Sequence, residues 1–153
     1  MSTNLIFLGS VDNGKSTLAG RILVETQTVT DQEVERCKRL ASEKGMQGWY
    51  LAYLLDTSEE EMNSGKTHEV GSIEFQHQSR KYNILDAPGH TAYISKMIYA
   101  LSMADIGVLL ISARGTEFES SIKGSLVEHL SLAKVMGIRN LIVAINKIDL
   151  CSD

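Results

Sequence analysis

The chain is 153 residues long and 43% apolar, enough for the core of one globular domain. Its 15 Lys and Arg against 19 Asp and Glu give a formal charge of −4, which argues against strong intrinsic nucleic-acid binding and leaves Arg36-Lys38-Arg39 and Arg80-Lys81 as candidate basic patches. No apolar run approaches the roughly 20 residues of a membrane helix, and the two cysteines, Cys37 and Cys151, lack metal-ligand spacing and suit a reducing cytoplasm.

The first expected element is a strand over residues 4–8, with no room ahead of it for a secretory leader. It runs into Gly9-Ser10-Val11-Asp12-Asn13-Gly14-Lys15-Ser16-Thr17, which fits G-x-x-x-x-G-K-[ST], and a helix follows over 15–25. A glycine loop between a strand and a helix is the context a phosphate-binding loop requires. Gly9 and Gly14 let the backbone curl until successive N–H groups converge on phosphate oxygens, and the helix N-terminus adds its own unpaired donors. Asp12, Asn13, Gly14, Lys15, Ser16 and Thr17 are therefore expected to bind a nucleotide. Lys15 would reach the β- and γ-phosphates and the Ser16 hydroxyl would ligate Mg²⁺.

A second helix is expected from Thr30, which forms a capping-box pattern with Glu33, to a stop at Gly45, with Val34, Cys37, Leu40 and Ala41 as its apolar stripe. Trp49, Tyr50 and Tyr53 then suit packing of this helix onto the domain, with a partner surface as the alternative. Ser58 to Lys66 is polar and is expected to be loose until GTP and Mg²⁺ order it. Gly71 to Gln78 alternates apolar and polar side chains and pairs with Lys81 to Leu85 through a turn at Ser79-Arg80. That second strand ends at Asp86-Ala87-Pro88-Gly89-His90. Asp86 is placed to approach Mg²⁺, Gly89 to bring its N–H close to the γ-phosphate, and His90 to stand beside the attacking water.

A helix near 92–103, a buried strand at 106–112, a helix near 121–136 ending at Gly137, and a strand at 140–146 buried on both faces complete the pattern. The last strand leads into Asn146-Lys147-Ile148-Asp149. A carboxylate only accepts, so Asp149 suits guanine, whose N1–H and exocyclic amine are adjacent donors, and rejects adenine. Asn146 would hold the base and the neighbouring loop, and the Lys147 stem would lie over the ring. The ligand expected is GTP or GDP. Strands alternating with helices imply an α/β fold of the P-loop NTPase type: three α/β/α layers and a mostly parallel sheet with one antiparallel edge strand.

Gly-x-Val-Asp-x-Gly-Lys-Ser-Thr, Asp-Ala-Pro-Gly-His and Asn-Lys-Ile-Asp together resemble the GTPase domain of translation factors that deliver a ligand to the ribosomal A site. Within that group, the segments from Trp49 to Thr57, from Gly65 to Gly71 and from Ile111 to Glu119 resemble the GTP-binding subunit of eukaryotic release factors. The resemblance implies that Thr67 is the switch threonine that ligates Mg²⁺ with GTP bound, and that His90 orients the hydrolytic water with help from the ribosome. Catalysis would then rest on His90, Lys15 and Thr67, metal binding on Ser16, Thr67 and Asp86. The implied partners are the ribosome and a class I release factor that reads stop codons, bound by a cytoplasmic monomer.

Several positions depart from the family pattern. Ser10 stands where a histidine is customary, and Ser10 with Leu18-Ala19-Gly20-Arg21 is also similar to the GTPase subunit of sulfate adenylyltransferase. Ser125-Leu126-Val127-Glu128-His129 replaces a customary Gln-Thr-Arg-Glu-His, and Tyr99-Ala100 a Gly-Gly. Ribosome-rescue and elongation factor 1-alpha-type GTPases share the same site, and a nucleotide-responsive binding module without efficient catalysis is a further alternative. Residues 1–153 are expected to be one GTP-binding domain, ending before a last strand and helix and without the β-barrel domains of the factors.

Overall fold

A computed structural model describes residues 2–56 and 70–151. Five strands, β1 (Ser2–Leu8), β2 (Gly71–His77), β3 (Arg80–Asp86), β4 (Ile106–Ser112) and β5 (Asn140–Asn146), form one sheet in the order β2-β3-β1-β4-β5. β3, β1, β4 and β5 are parallel, and β2 joins one edge antiparallel to β3. The helices are α1 (Lys15–Glu25), α2 (Asp31–Glu43), α3 (Ile94–Met103), α4 (Gly115–Lys123) and α5 (Ser125–Val135). This is the expected mostly parallel α/β architecture with one antiparallel edge strand.

Alternation along β1 explains the three layers, because successive side chains of a strand point to opposite faces. Ile6 and Leu8 pack on one side with Met97 and Leu101 of α3 and Leu126 and Ala133 of α5. Phe7 packs on the other with Ala19 and Leu23 of α1, together with Ile84, Val108 and Leu110. Every parallel strand thus delivers its C-terminal end to one edge of the sheet, where Gly9, Asp86, Ser112 and Asn146 collect.

The α2 excursion has its own small core of Cys37, Ala41 and Tyr53, with Leu40, Tyr50 and Leu54 half-buried around it. Its N-terminus carries the expected capping box: the Glu33 N–H donates to Thr30 Oγ1 at 3.3 Å, and the Thr30 N–H donates to the Glu33 carboxylate at 2.7 Å. Two 3-10 turns, Gln47–Trp49 and Ala52–Leu54, return the chain to α1. There Gly20 has no room for a side chain, since a Cβ would collide with the Leu51 carbonyl.

Three expectations change. The helix expected at 121–136 is two helices, because Gly124 (φ −120, ψ −131) leaves helical space between α4 and α5. The hairpin turn falls on Gln78-Ser79, one residue earlier than expected, with Gln78 at φ 55 and His77 paired to Arg80. β5 is not buried on both faces: Ile142 and Ile145 are 54% and 61% exposed, because among the described residues β5 is an edge strand paired with β4 alone. Thr67 and the stretch Ser58 to Lys66 lie outside the described residues.

Candidate functional site

The loop after β1 is built around two glycines whose conformations few other residues adopt. Gly9 sits at φ 139, packed so closely on β4 that a Cβ would strike the Leu110 carbonyl, and Gly14 sits at φ 92 against the Asn146 side-chain amide. Asn13 is buried and donates from Nδ2 to the Leu110 carbonyl at 2.9 Å, so its side chain anchors the loop from behind. Lys15 is just 7% exposed and donates from Nζ to the Ser10 carbonyl at 3.0 Å. Burial pushes the Lys15 ammonium below its ordinary pKa, against the opposing pull of Asp86 and then Asp12. The positive charge is held under the loop, stretched across its span.

Gly89 faces this lysine. A Cβ there would press on Lys15 Nζ and lie 3.1 Å from both the Gly9 carbonyl oxygen and the Val11 nitrogen, so glycine lets the β3 loop approach the loop after β1 without displacing either. Ser16 donates from Oγ to Asp86 Oδ2 at 2.6 Å. A hydroxyl and a buried carboxylate meeting at the start of a helix are the hard oxygen donors that suit Mg²⁺, and these two residues fit that ion. His90 is exposed at the rim and accepts from the Ala92 N–H through Nδ1 at 3.1 Å.

A cavity of about 570 Å³ joins these groups to the far end of the sheet. Its lining includes Asp12, Gly14, Lys15, Ser16, Thr17, Gly89, His90, Asn146, Lys147 and Asp149. The structure therefore brings together all the described candidate residues except Asn13, which stands behind the loop, and Asp86, which stands beneath Ser16. Asn146 is bonded to the phosphate loop itself, Nδ2 donating to the Asn13 carbonyl at 3.0 Å. Lys147 takes the left-handed conformation at φ 59, turning the chain into the 3-10 turn that presents Asp149, an exposed residue, to the cavity.

Three further residues, not assigned to the site from sequence, stand at or behind the cavity, and one of them, Trp49, is expected from sequence to pack α2 onto the domain. Glu117 on α4 lines the cavity and binds Lys147. Trp49 lines it too, while its neighbours Tyr50 and Tyr53 pack on α2; the three aromatics divide their work, which spacing alone does not reveal. His129 is buried on α5 behind the loop, hydrogen-bonded to the Gly9 main chain, with Nδ1 lacking a hydrogen-bond partner among the described residues. Burial, and then the Lys15 charge, lower its pKa to about 4. One turn earlier on the same helix, Ser125 donates to Ser10 at 2.8 Å. The spacing of Ser125 and His129, four residues apart on one helix face, was the available signal.

The family model of the elongation factor Tu GTP-binding domain matches residues 1–153. The chain is 50% identical over 148 residues to the eukaryotic peptide chain release factor GTP-binding subunit of Kluyveromyces lactis, an alignment covering 95% of this chain and 21% of that protein. It is similar to the structure of Sup35 complexed with GDP, at 32% identity and a TM-score of 0.60, covering 97% of this chain and 27% of that one. It shares its fold with the GTPase-like domain of Saccharomyces cerevisiae Ski7, at 22% identity and a TM-score of 0.82, covering 98% of this chain and 35% of that one. The chain spans about a fifth of the length of the curated relatives it matches.

Proposed function

The chain belongs to the elongation factor Tu GTP-binding domain family, and from that premise we propose that it is the GTP-binding and GTP-hydrolysing domain of a translation termination factor. The observation that carries the GTPase reading is the convergence, on one cavity, of Lys15 and Ser16 from the phosphate loop, Gly89 and His90 from the β3 loop, and Lys147 and Asp149 beyond β5. The termination reading rests on the 50% identity to a release factor subunit. By that likeness its partners are the ribosome and a stop-codon-reading release factor.

The residues divide the chemistry as follows. Lys15 and the loop amides hold the phosphates and offset charge that builds up in the transition state. Ser16 and Asp86 would hold Mg²⁺, with Thr67 as a further ligand on the strength of the family resemblance. Bound there, the ion would supply positive charge that offsets the negative charge of the phosphate oxygens. Asp149 accepts from the guanine edge and so excludes adenine.

His90 orients the attacking water. Because its Nδ1 accepts a bond from the Ala92 N–H, the neutral ring carries its proton on Nε2. That nitrogen donates to a water oxygen and cannot accept the water's proton, so its role is positioning. Among the described residues no arginine lines the cavity, and intrinsic turnover is therefore slow until the ribosome stimulates it.

Ribosome-stimulated hydrolysis by the whole factor, compared with its His90→Ala variant, tests this reading. Lost hydrolysis with retained GTP binding supports it. Unchanged hydrolysis removes His90 from the mechanism, and absent ribosome stimulation in the unsubstituted factor overturns the translational reading.

A further inference from the structure

Lys147 belongs to the tetrapeptide that reads the base, yet it stands on poorly supported backbone. β5 is an edge strand with apolar side chains open to solvent, and Lys147 itself holds a left-handed conformation that a residue with a Cβ adopts only at some cost. The support this loop has comes from the segment that follows β4. Ser112 is in register with Asn146, and the Ala113 N–H donates to the Asn146 carbonyl at 2.8 Å. Cys151 Sγ donates to the Ala113 carbonyl at 3.2 Å, and Lys147 Nζ donates to Glu117 Oε2 at 2.8 Å.

Glu117 is the hub of this support. Its carboxylate accepts from Ser112 Oγ at 2.7 Å as well as from Lys147, and Arg114 reaches the second oxygen at 3.4 Å. Ser112 is fully buried at the end of β4, so the carboxylate is pinned to the rigid interior of the sheet. Glu117 also lies in the first turn of α4, where the helix dipole favours a negative charge. Bonds from Lys147 and Ser112 hold its carboxyl below the ordinary carboxylate range. Lys147 and Glu117 are each about three-quarters buried and both line the cavity.

We propose that Glu117 is a positioning residue for base recognition: it clamps the Lys147 ammonium to the end of β4, which fixes the aliphatic stem of Lys147 as one wall of the guanine pocket. This rests on the reading that Lys147 and Asp149 form the base site. A lysine stem left to itself samples many rotamers and loses that freedom when fixed. A clamp formed before the ligand arrives removes part of that loss from the binding step.

Titration of the chain with GDP and, separately, with inorganic pyrophosphate tests the clamp, since pyrophosphate reports the phosphate loop and GDP reports both ends. Glu117→Gln is expected to weaken GDP binding by about threefold to fivefold, the scale of a partly exposed ion pair, with pyrophosphate affinity unchanged. Lys147→Met keeps an apolar stem without the ammonium, and in that background Glu117→Gln is expected to change nothing further. GDP affinity unaffected by Glu117→Gln, GDP and pyrophosphate weakened together, or a full Glu117→Gln effect persisting beside Lys147→Met would each overturn the clamp. Asp149→Asn separates the two claims. If it leaves GDP binding unchanged, the base-site reading fails and the clamp with it; if it weakens GDP while Glu117→Gln does not, the clamp alone fails.

Discussion

The two ends of the cavity, one proposed to hold the phosphates and the other the base, are built differently. At the phosphate end, the loop after β1 is locked by buried groups: Asn13 to the Leu110 carbonyl, Lys15 to Ser10, Ser16 to Asp86, and glycines packed where no side chain fits. At the base end, Asp149 is exposed on a short turn following an edge strand, fastened through Asn146, Glu117 and Cys151. A phosphate chain carries several charges and is recognised by backbone N–H groups and one cation, which must be preorganised to act together. A base is read by a few side chains, and a loop held by a few bonds is enough to present them. The phosphate end should therefore show large, all-or-none responses to substitution, and the base end graded ones.

The largest response is expected from Lys15→Met. Removing a buried cation from the phosphates should weaken GDP and GTP binding on the order of 1,000-fold. In the nucleotide-free chain, relief of the buried Lys15 charge opposes the loss of its attraction to buried Asp86, so stability should change far less than affinity. Calorimetric titration and urea unfolding measure the two effects, and a small loss of affinity would contradict the assignment of Lys15.

Next in size is a pH effect behind the same loop. His129 folds neutral, with a pKa of about 4 against an ordinary 6.5, so the unfolded chain takes up the proton first as pH falls. Its contribution to stability is complete above about pH 6.5 and is lost progressively down to about pH 4, up to about 3 kcal/mol in all. Urea unfolding across that window should show the loss, and His129→Gln should flatten it. A third effect belongs to the base end: Asp149→Asn should reduce the preference for GTP over ATP by about 2 kcal/mol, roughly 30-fold, while pyrophosphate binding stays the same. The smallest lies outside both ends. Thr30→Ala removes the α2 cap and should lower stability by about 1 kcal/mol without changing nucleotide affinity; a drop in affinity would couple α2 to the cavity.

The contrast also explains what was legible in the sequence. The phosphate loop, Asp86, Gly89 and the Asn146–Asp149 turn are local motifs whose residue types follow from short-range chemistry, and the structure gathers them at one edge of the sheet. The capping box of Thr30 and Glu33 was equally local. What escaped depends on which strand lies beside which. Glu117 and Ser112 matter because β4 neighbours β5, and His129 and Ser125 because α5 backs onto Gly9 and Ser10, across separations of more than 100 residues. β5 read as a fully buried strand because its apolar run is the same whether a neighbour covers it or not. Gly124 was missed as a helix break because a glycine within an apolar-periodic stretch is often tolerated there.

Titration calorimetry of the chain with GDP, GTP and ATP, each with and without Mg²⁺, separates a working guanine site from a bare scaffold. Binding of GDP and GTP but not ATP, strengthened by Mg²⁺, is the expected result, and it would show the phosphate loop and the Asp149 turn acting as one site. Equal binding of ATP, or binding of none of the three, would contradict that account.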